Sequence, residues 1–188
     1  MRKLKLQMQI TVDGFVAGPQ GQLDWMTFDW EDELAAFVNE FTDAGDTILM
    51  GRKMTAEFIN YWENVVNNQP DSPEFAFAHK MVDIPKIVFS KTQKTIAGKN
   101  VTVENGDLVT AVNALKAKPG KNIIVYGGAG FVSSLIEHNL IDELNLFTNP
   151  IAIKDGMRIF NKRQPLQLTG STAYKNGIVV NKYVPANQ

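Results

Sequence analysis

The sequence predicts an α/β fold: a mixed, mostly parallel sheet flanked by helices, with an antiparallel hairpin at its C-terminal end. Three observations carry that expectation. Short apolar, β-branched runs alternate with helical patterns from Leu4 to Thr148. A glycine cluster, Gly127-Gly128-Ala129-Gly130, joins one such run directly to an apolar helical pattern. Beyond Pro165 the pattern changes to two strand-like segments around Lys175-Asn176-Gly177, and Asn-Gly is a strong hairpin signal.

Taken in order, Leu4, Leu6, Met8, Ile10 and Val12 alternate with other residues, which predicts a strand over 4–12. Asp13-Gly14 breaks it, and Gly18-Pro19-Gln20-Gly21 marks a loop. Leu34, Phe37, Val38 and Phe41 fall at helical spacing, with acids in the first turn, so a helix is expected over 31–41. A buried strand over 47–50 ends at Gly51. A short helix is expected over 55–61, a polar loop over 67–73 and another helix over 74–81. Strands follow over 86–89 and 101–103. Asp107 is placed to cap a helix through Leu108, Val112 and Leu115, which Pro119-Gly120 closes. The run Asn122 to Val125 then feeds the glycine cluster, and a strand is expected over 143–148. The hairpin strands are 166–174 and 178–184. With no repeat, low-complexity tract or linker, 1–188 is read as one domain.

A formal charge of -1 gives no reason to expect nucleic acid or an anionic membrane as partner. No apolar run approaches the roughly 18 residues that span a bilayer, so the expectation is a cytosolic protein. Cysteine is absent, which excludes disulfides, thiolate metal sites and a cysteine nucleophile. Two histidines, His79 and His138, do not make a histidine-rich metal centre. His138 reads as a dipole partner at a helix end and His79 as a surface residue.

Open α/β sheets bind ligands beyond the carboxyl ends of their strands. Three such ends carry suitable chemistry: Gly51-Arg52-Lys53, Ser90-Lys91-Thr92, and Gly127 to Gly130. Glycines let backbone N–H groups approach a phosphate, and the helix start adds a positive dipole end. Together the three turns suggest a pyrophosphate on the glycines and a further phosphate among Arg52, Lys53 and Lys91. That favours NADPH over NADH, because an arginine fork suits phosphate oxygens. The pattern is not a Rossmann fingerprint. The cluster lies far along the chain, its spacing is not G-x-G-x-x-G, and the acid for a ribose hydroxyl is not evident, Asp142 being the nearest.

The motif order Thr11-Val-Asp-Gly-Phe-Val-Ala-Gly18, Leu23-Asp-Trp25, Ile48-Leu-Met-Gly-Arg-Lys53, Ile87-Val-Phe-Ser90, Val125-Tyr-Gly-Gly-Ala-Gly-Phe131 and Leu140-Ile-Asp-Glu-Leu144, followed by 150–160, resembles the dihydrofolate reductase fold. In particular it is similar to stand-alone relatives of the riboflavin-biosynthesis reductase domain. The resemblance implies a sheet of about eight strands that binds NADPH across its carboxyl edge. Gly51, Arg52 and Lys53 would hold phosphates from one side, and Ser90 and Lys91 would lie near the adenosine 2′-phosphate. Gly127, Gly128, Ala129, Gly130 and Phe131 would cradle the pyrophosphate, while Ala17 and Gly18, opening a mobile loop, would approach the nicotinamide. Two departures stand out. Tyr126 occupies the position where riboflavin-pathway reductases carry a substrate-holding glutamate, and the zinc-binding set of their partner deaminase is missing.

The activity implied is hydride transfer to a small heterocycle, pterin-, folate- or aminopyrimidine-like, as in 5-amino-6-(5-phosphoribosylamino)uracil reductase or dihydrofolate reductase. In the latter an acid on the first helix assists protonation; Asp32 is the candidate here, against a plain first-turn acid favoured by the dipole. Asp13 reads first as a turn residue. Trp25, Phe28 and Trp30 could wall a flat substrate or cover a small core, and Trp25 and Phe28 are the substrate candidates. Pairing of the hairpin edge across a two-fold axis suggests a homodimer. The alternatives are a nucleotide-binding protein of the same fold without turnover, and a purely structural domain.

Overall fold

A computed structural model describes residues 1–27 and 30–186; Phe28, expected at the substrate, lies outside the described residues. Among the described residues the strands are β1 (Leu4–Thr11), β2 (Gly45–Gly51), β3 (Lys86–Phe89), β4 (Val101–Glu104), β5 (Asn122–Val125), β6 (Glu143–Asn149), β7 (Leu166–Ala173) and β8 (Val179–Pro185). The helices are α1 (Asp32–Asp43), α2 (Arg52–Asn68), α3 (Phe75–Asp83), α4 (Leu108–Ala117) and α5 (Ala129–Glu137). They build one sheet in the order β4-β3-β2-β5-β1-β6-β8-β7. The first six strands in that order are mutually parallel; β8 adds antiparallel to β6, and β7 antiparallel to β8.

The central strands are covered on both faces, as a parallel sheet requires. Leu4, Leu6, Met8 and Ile10 of β1 share one core with Ile123 and Val125 of β5, Leu144 and Leu146 of β6, Val112 of α4, and Val132, Leu135 and Ile136 of α5. On the opposite face Phe147 packs against Leu34 and Val38 of α1 and Val180 of β8. Beside it, Ile48 and Met50 of β2 meet Met81 of α3, with Phe58 and Trp62 of α2 closing over them.

Two expectations are corrected. The short helix over 55–61 is the middle of a 17-residue one, α2, which starts at Arg52 and absorbs Asn67 and Asn68 from the expected loop. Its apolar residues reach the core well outside the expected span, since Val65 is fully buried. Strand β1 stops at Thr11, and Val12 is exposed beyond it. The Asp107 cap is as expected: its carboxylate accepts the Thr110 N–H at 2.9 Å. The turn at Lys175-Asn176-Gly177 is closed by the Gly177 N–H donating to Tyr174 O, with φ +86° at Gly177. No helix of the described residues is long and apolar enough to cross a membrane.

Candidate cofactor site at the carboxyl edge of the sheet

Strands β3, β2, β5 and β1 are neighbours and parallel, so the turns that follow them emerge at one edge. The three turns singled out from the sequence therefore lie side by side. Gly51 caps α2 and Gly128 caps α5, and the two helix starts are in close approach. A Cβ on Gly51 would fall 2.6 Å from Phe131 Cβ, and one on Gly128 would fall 3.8 Å from Gly51 Cα. Gly128 holds φ +87°, a conformation L side chains rarely adopt. Phe131 stacks on Phe89 of β3, 5.3 Å between centroids, which fixes the start of α5 against the end of β3.

Neither helix has a side-chain N-cap or an acid in its first turn. Their leading N–H groups, and the positive ends of two dipoles, face the same edge without a side-chain partner. On α2 the first turn instead carries Arg52 and Lys53, both exposed. Cations there oppose the dipole, by typically ~0.3–1 kcal/mol each. Among the described residues Arg52, Lys53 and Lys91 form no ion pair within the fold. This arrangement is unfavourable alone and complementary to a polyanion. Gly130 adds room: a Cβ there would meet no atom within 4 Å.

An open cleft of about 690 Å³ lies against the first turn of α2, lined by Arg52, Lys53, Gln93, Thr95, Ile96 and Ala97 among others. The segment 93–97 was not found by sequence reasoning; only its position, directly after Ser90-Lys91-Thr92, hinted at it. The glycines of 127–130 border α2 but do not line this cleft. Ser90 has a fold-supporting duty as well. Its Oγ accepts the N–H groups of Thr92 (3.2 Å) and Gln93 (2.9 Å), and its carbonyl accepts Asn105 Nδ2 at 2.6 Å. Ser90 itself is buried, at 6% exposure. Lys91 is exposed on the same loop.

At the end of β1, Ala17 is buried and pairs antiparallel with Met157, whose N–H donates to Ala17 O at 2.8 Å. The Gly18 N–H donates to Gln22 O, also at 2.8 Å. The loop expected to open here is thus tethered at its start by the 151–160 segment. Asp13 supplies the tether: one oxygen accepts the Thr11 hydroxyl at 2.5 Å, the other the N–H groups of Ile153 (3.0 Å) and Lys154 (2.8 Å). These bonds, the Thr11 hydroxyl foremost, hold its carboxyl below the usual range. Its role is to clamp two loops, an extension of the turn role expected.

Helix α1 ends near the start of β5, where Asn122 N–H donates to Ala44 O, and its first turn lies toward the carboxyl edge. Asp32 is exposed there. Trp30 packs on Phe147 with centroids 6.5 Å apart, and Trp25 is half-buried with an indole N–H that has no partner among the described residues. Tyr126 turns away from the edge. It stacks on Phe58 at 6.2 Å and pairs its hydroxyl with Thr42 Oγ1 at 2.7 Å, and burial pushes its pKa far up. Asp142 is likewise committed: it accepts the Leu4 N–H at 2.7 Å and pairs with Lys116 at 2.6 Å. It does not serve a ribose. His138 caps α5, its Nδ1 2.8 Å from Ser134 O, and His79 is exposed.

The chain is 32% identical over 184 residues to the uncharacterized protein YyaP of Bacillus subtilis (strain 168), covering 95% of this chain and 92% of that protein. Its fold matches a putative riboflavin biosynthesis protein of Shewanella sp. PV-4 with a TM-score of 0.69 at 21% identity, over 100% of both chains. It also matches the diaminohydroxyphosphoribosylaminopyrimidine deaminase/5-amino-6-(5-phosphoribosylamino)uracil reductase of Thermotoga maritima, with a TM-score of 0.65 at 16% identity, over 98% of this chain and 57% of that one. The family model of the RibD C-terminal domain matches residues 2–180, so the chain belongs to that family of reductase domains, and its fold is dihydrofolate reductase-like.

Proposed function

We propose that the protein is an NADPH-dependent reductase of the cytosol that acts on a small pterin-, folate- or aminopyrimidine-like heterocycle. The observation that carries this reading is the pair of adjoining helix starts, uncapped by side chains and flanked by Arg52, Lys53 and Lys91, which form no ion pair among the described residues. The donor set fits the cofactor: backbone N–H groups for a pyrophosphate, an open position at Gly130, and a guanidinium and two ammonium groups for further phosphate oxygens.

In this reading Gly127, Gly128, Ala129, Gly130 and Phe131 hold the pyrophosphate, and Gly51, Arg52 and Lys53 hold phosphate from the α2 side. Ser90 donates its hydroxyl and Lys91 its charge to the 2′-phosphate. Ala17 and Gly18 border the nicotinamide, and Trp25 and Phe28 wall the substrate. When bound, the cofactor supplies the hydride. Asp32 is the acid we assign to protonating the acceptor, a contribution typically worth ~10²–10⁴ in rate. A homodimer through β7 accompanies the reading, since that edge strand leaves Leu168 exposed.

Titrating NADPH and NADH by cofactor fluorescence, then following NADPH oxidation with dihydrofolate and aminopyrimidine acceptors, tests the proposal. Binding that prefers NADPH, with turnover that falls at least tenfold in Asp32→Asn, is the expected result. Equal affinity for the two cofactors would overturn the phosphate assignment. A second reading, cofactor binding without turnover, is favoured by one observation: Tyr126 is turned into the core and supplies no group to the edge. Tight NADPH binding with no oxidation by any of these acceptors would select it.

A further inference from the structure

Successive strands from β1 to β6 are joined through at least one helix, except β3 and β4, whose connection over residues 90–100 contains none. A crossover between neighbouring parallel strands ordinarily carries a helix, and a helix holds its shape by its own backbone hydrogen bonds. This strap has no such support. Residues 94–97 make no hydrogen bond among the described residues. Yet Gln93, Thr95, Ile96 and Ala97 of the strap line the cleft of about 690 Å³ together with Arg52 and Lys53.

The course of the strap is therefore set by what holds its two ends. At the far end the Lys99 N–H donates to Glu63 Oε1 at 2.8 Å, and Ile96 packs on the core beside β2. Gly98 lies so close to α2 that a Cβ there would fall 2.8 Å from Ile59 Cγ2. At the near end Ser90 Oγ shapes the turn from within, and Asn105 ties that turn to another element. Asn105 Nδ2 donates to Ser90 O at 2.6 Å and to Gln93 O at 2.8 Å, bridging the end of β3 to the first residue of the cleft wall. Two carbonyl acceptors face this one atom, which fixes the orientation of the amide, because Oδ1 has no proton to give. Asn105 is itself held on both sides. Glu104 lies in the ladder beside Phe89, the Gly106 N–H donates to Glu104 Oε1 at 2.7 Å, and Asp107 caps α4.

We propose that Asn105 is a positioning residue: its amide sets the course of the strap, and with it the wall of the cleft and the place of Lys91. What the cleft binds rests on the reductase reading, whereas the anchoring of the strap is a property of the ligand-free chain. Asn105→Leu is the variant to make, since it is close in size, adds no charge and cannot donate. Asn105 is exposed, so the melting temperature should stay within a few degrees of the parent.

In the ligand-free variant, amide hydrogen exchange at Thr92 and Gln93, resolved by NMR, is expected to be at least tenfold faster than in the parent, with the amides of β5 unchanged. NADPH should bind at least tenfold more weakly and NADH less than threefold, because Lys91 rides on the strap and the two cofactors differ by the 2′-phosphate. A loss of general stability would weaken both alike. Parent exchange rates in the variant, or NADPH and NADH weakened equally or not at all, would overturn the proposal. Asn105→Ala repeats both measurements where Asn105→Leu does not fold. A parent chain that binds neither cofactor, or both equally, would count against the reductase reading, and the exchange rates would then decide the proposal alone.

Discussion

At the amino edge of the sheet Arg2, Lys86 and Lys116 are buried and used up by the fold, whereas at the carboxyl edge Arg52, Lys53 and Lys91 stand exposed with no ion pair among the described residues. Arg2 pairs with Asp46 and donates to Thr47 Oγ1 at 2.8 Å and Lys121 O at 2.6 Å. Lys116 bridges Asp142 and Leu140 O. Lys86 reaches three carbonyls at the end of α3. The same residue types thus do opposite work at the two edges. A buried cation must be paired or it destabilises the fold. An exposed pair on the positive end of a helix adds nothing to stability, which is the ground for the proposal that it serves a bound phosphate. The sharpest way to break the contrast is to find a substitution at one edge that behaves as though it belonged to the other.

The largest effect is expected at Gly130. It lies inside the first turn of α5 and has open space where a Cβ would go, so Gly130→Val should keep the fold. The side chain would fill the place proposed for the pyrophosphate. NADPH affinity should fall at least ~1,000-fold, about 4 kcal/mol, with the melting temperature within a few degrees of the parent. Gly128→Val is a poorer probe, because φ +87° there makes any side chain strained and mixes stability with binding. Normal NADPH binding by Gly130→Val would move the phosphate elsewhere.

The counterpart at the amino edge is Asp142→Ala. It strands the Lys116 ammonium, whose side chain is only 7% exposed, and also unpairs the Leu4 N–H. Loss of one partner of a buried pair typically costs ~3–5 kcal/mol; with Asp142 33% exposed, about 2–3 kcal/mol by urea unfolding is the expectation here. Cofactor affinity should not change. A large loss of NADPH binding in a folded Asp142→Ala protein would erase the distinction between the edges.

Next in size is Arg52→Ala with Lys91→Ala. Hydrogen bonds to charged groups contribute about 1.5–3 kcal/mol each when desolvated and less when exposed. NADPH should weaken about 30-fold and NADH less than about threefold, with unfolding midpoints unchanged. Parallel losses for both cofactors would reassign these residues from the 2′-phosphate to the shared pyrophosphate.

The two edges also differed in how readable they were. The carboxyl-edge turns were legible because glycines and cations at strand ends are local signals, and the sheet order then brought them together. The amino-edge pairs join residues as distant as Arg2 and Asp46, or Lys116 and Asp142, and no local pattern reports them. Helix α2 was underestimated because its start at Gly51 has no capping side chain and its end is rich in asparagine, which ordinarily favours turns. The alternation of β1 disclosed the strand, yet gave no sign that Gln7 and Gln9 on its polar side are buried. That depends on α1 lying across the β1–β6 seam, which is a tertiary fact. The segment 93–97 and the Asp13 clamp on Ile153 and Lys154 were hidden for the same reason.

The smallest effect concerns Lys86, at the amino end of β3. Burial pushes its ammonium down to about 8, even though Nζ donates to Met81 O, Val82 O and Ile84 O. The unfolded chain keeps the ordinary value of about 10.4. Between these limits the unfolded state binds more protons than the native state, so stability rises with pH. The contribution is fully present above the unfolded value and is lost as pH falls through the native one. Urea unfolding between pH 8 and 9.5 should therefore show a gain of about 1.5 kcal/mol, below the point where tyrosines ionise. Lys86→Met should flatten that slope while leaving NADPH affinity untouched across the same range. A slope that survives the substitution would assign the pH dependence to another group and leave Lys86 charged throughout, a buried cation satisfied wholly by the three carbonyls that end α3.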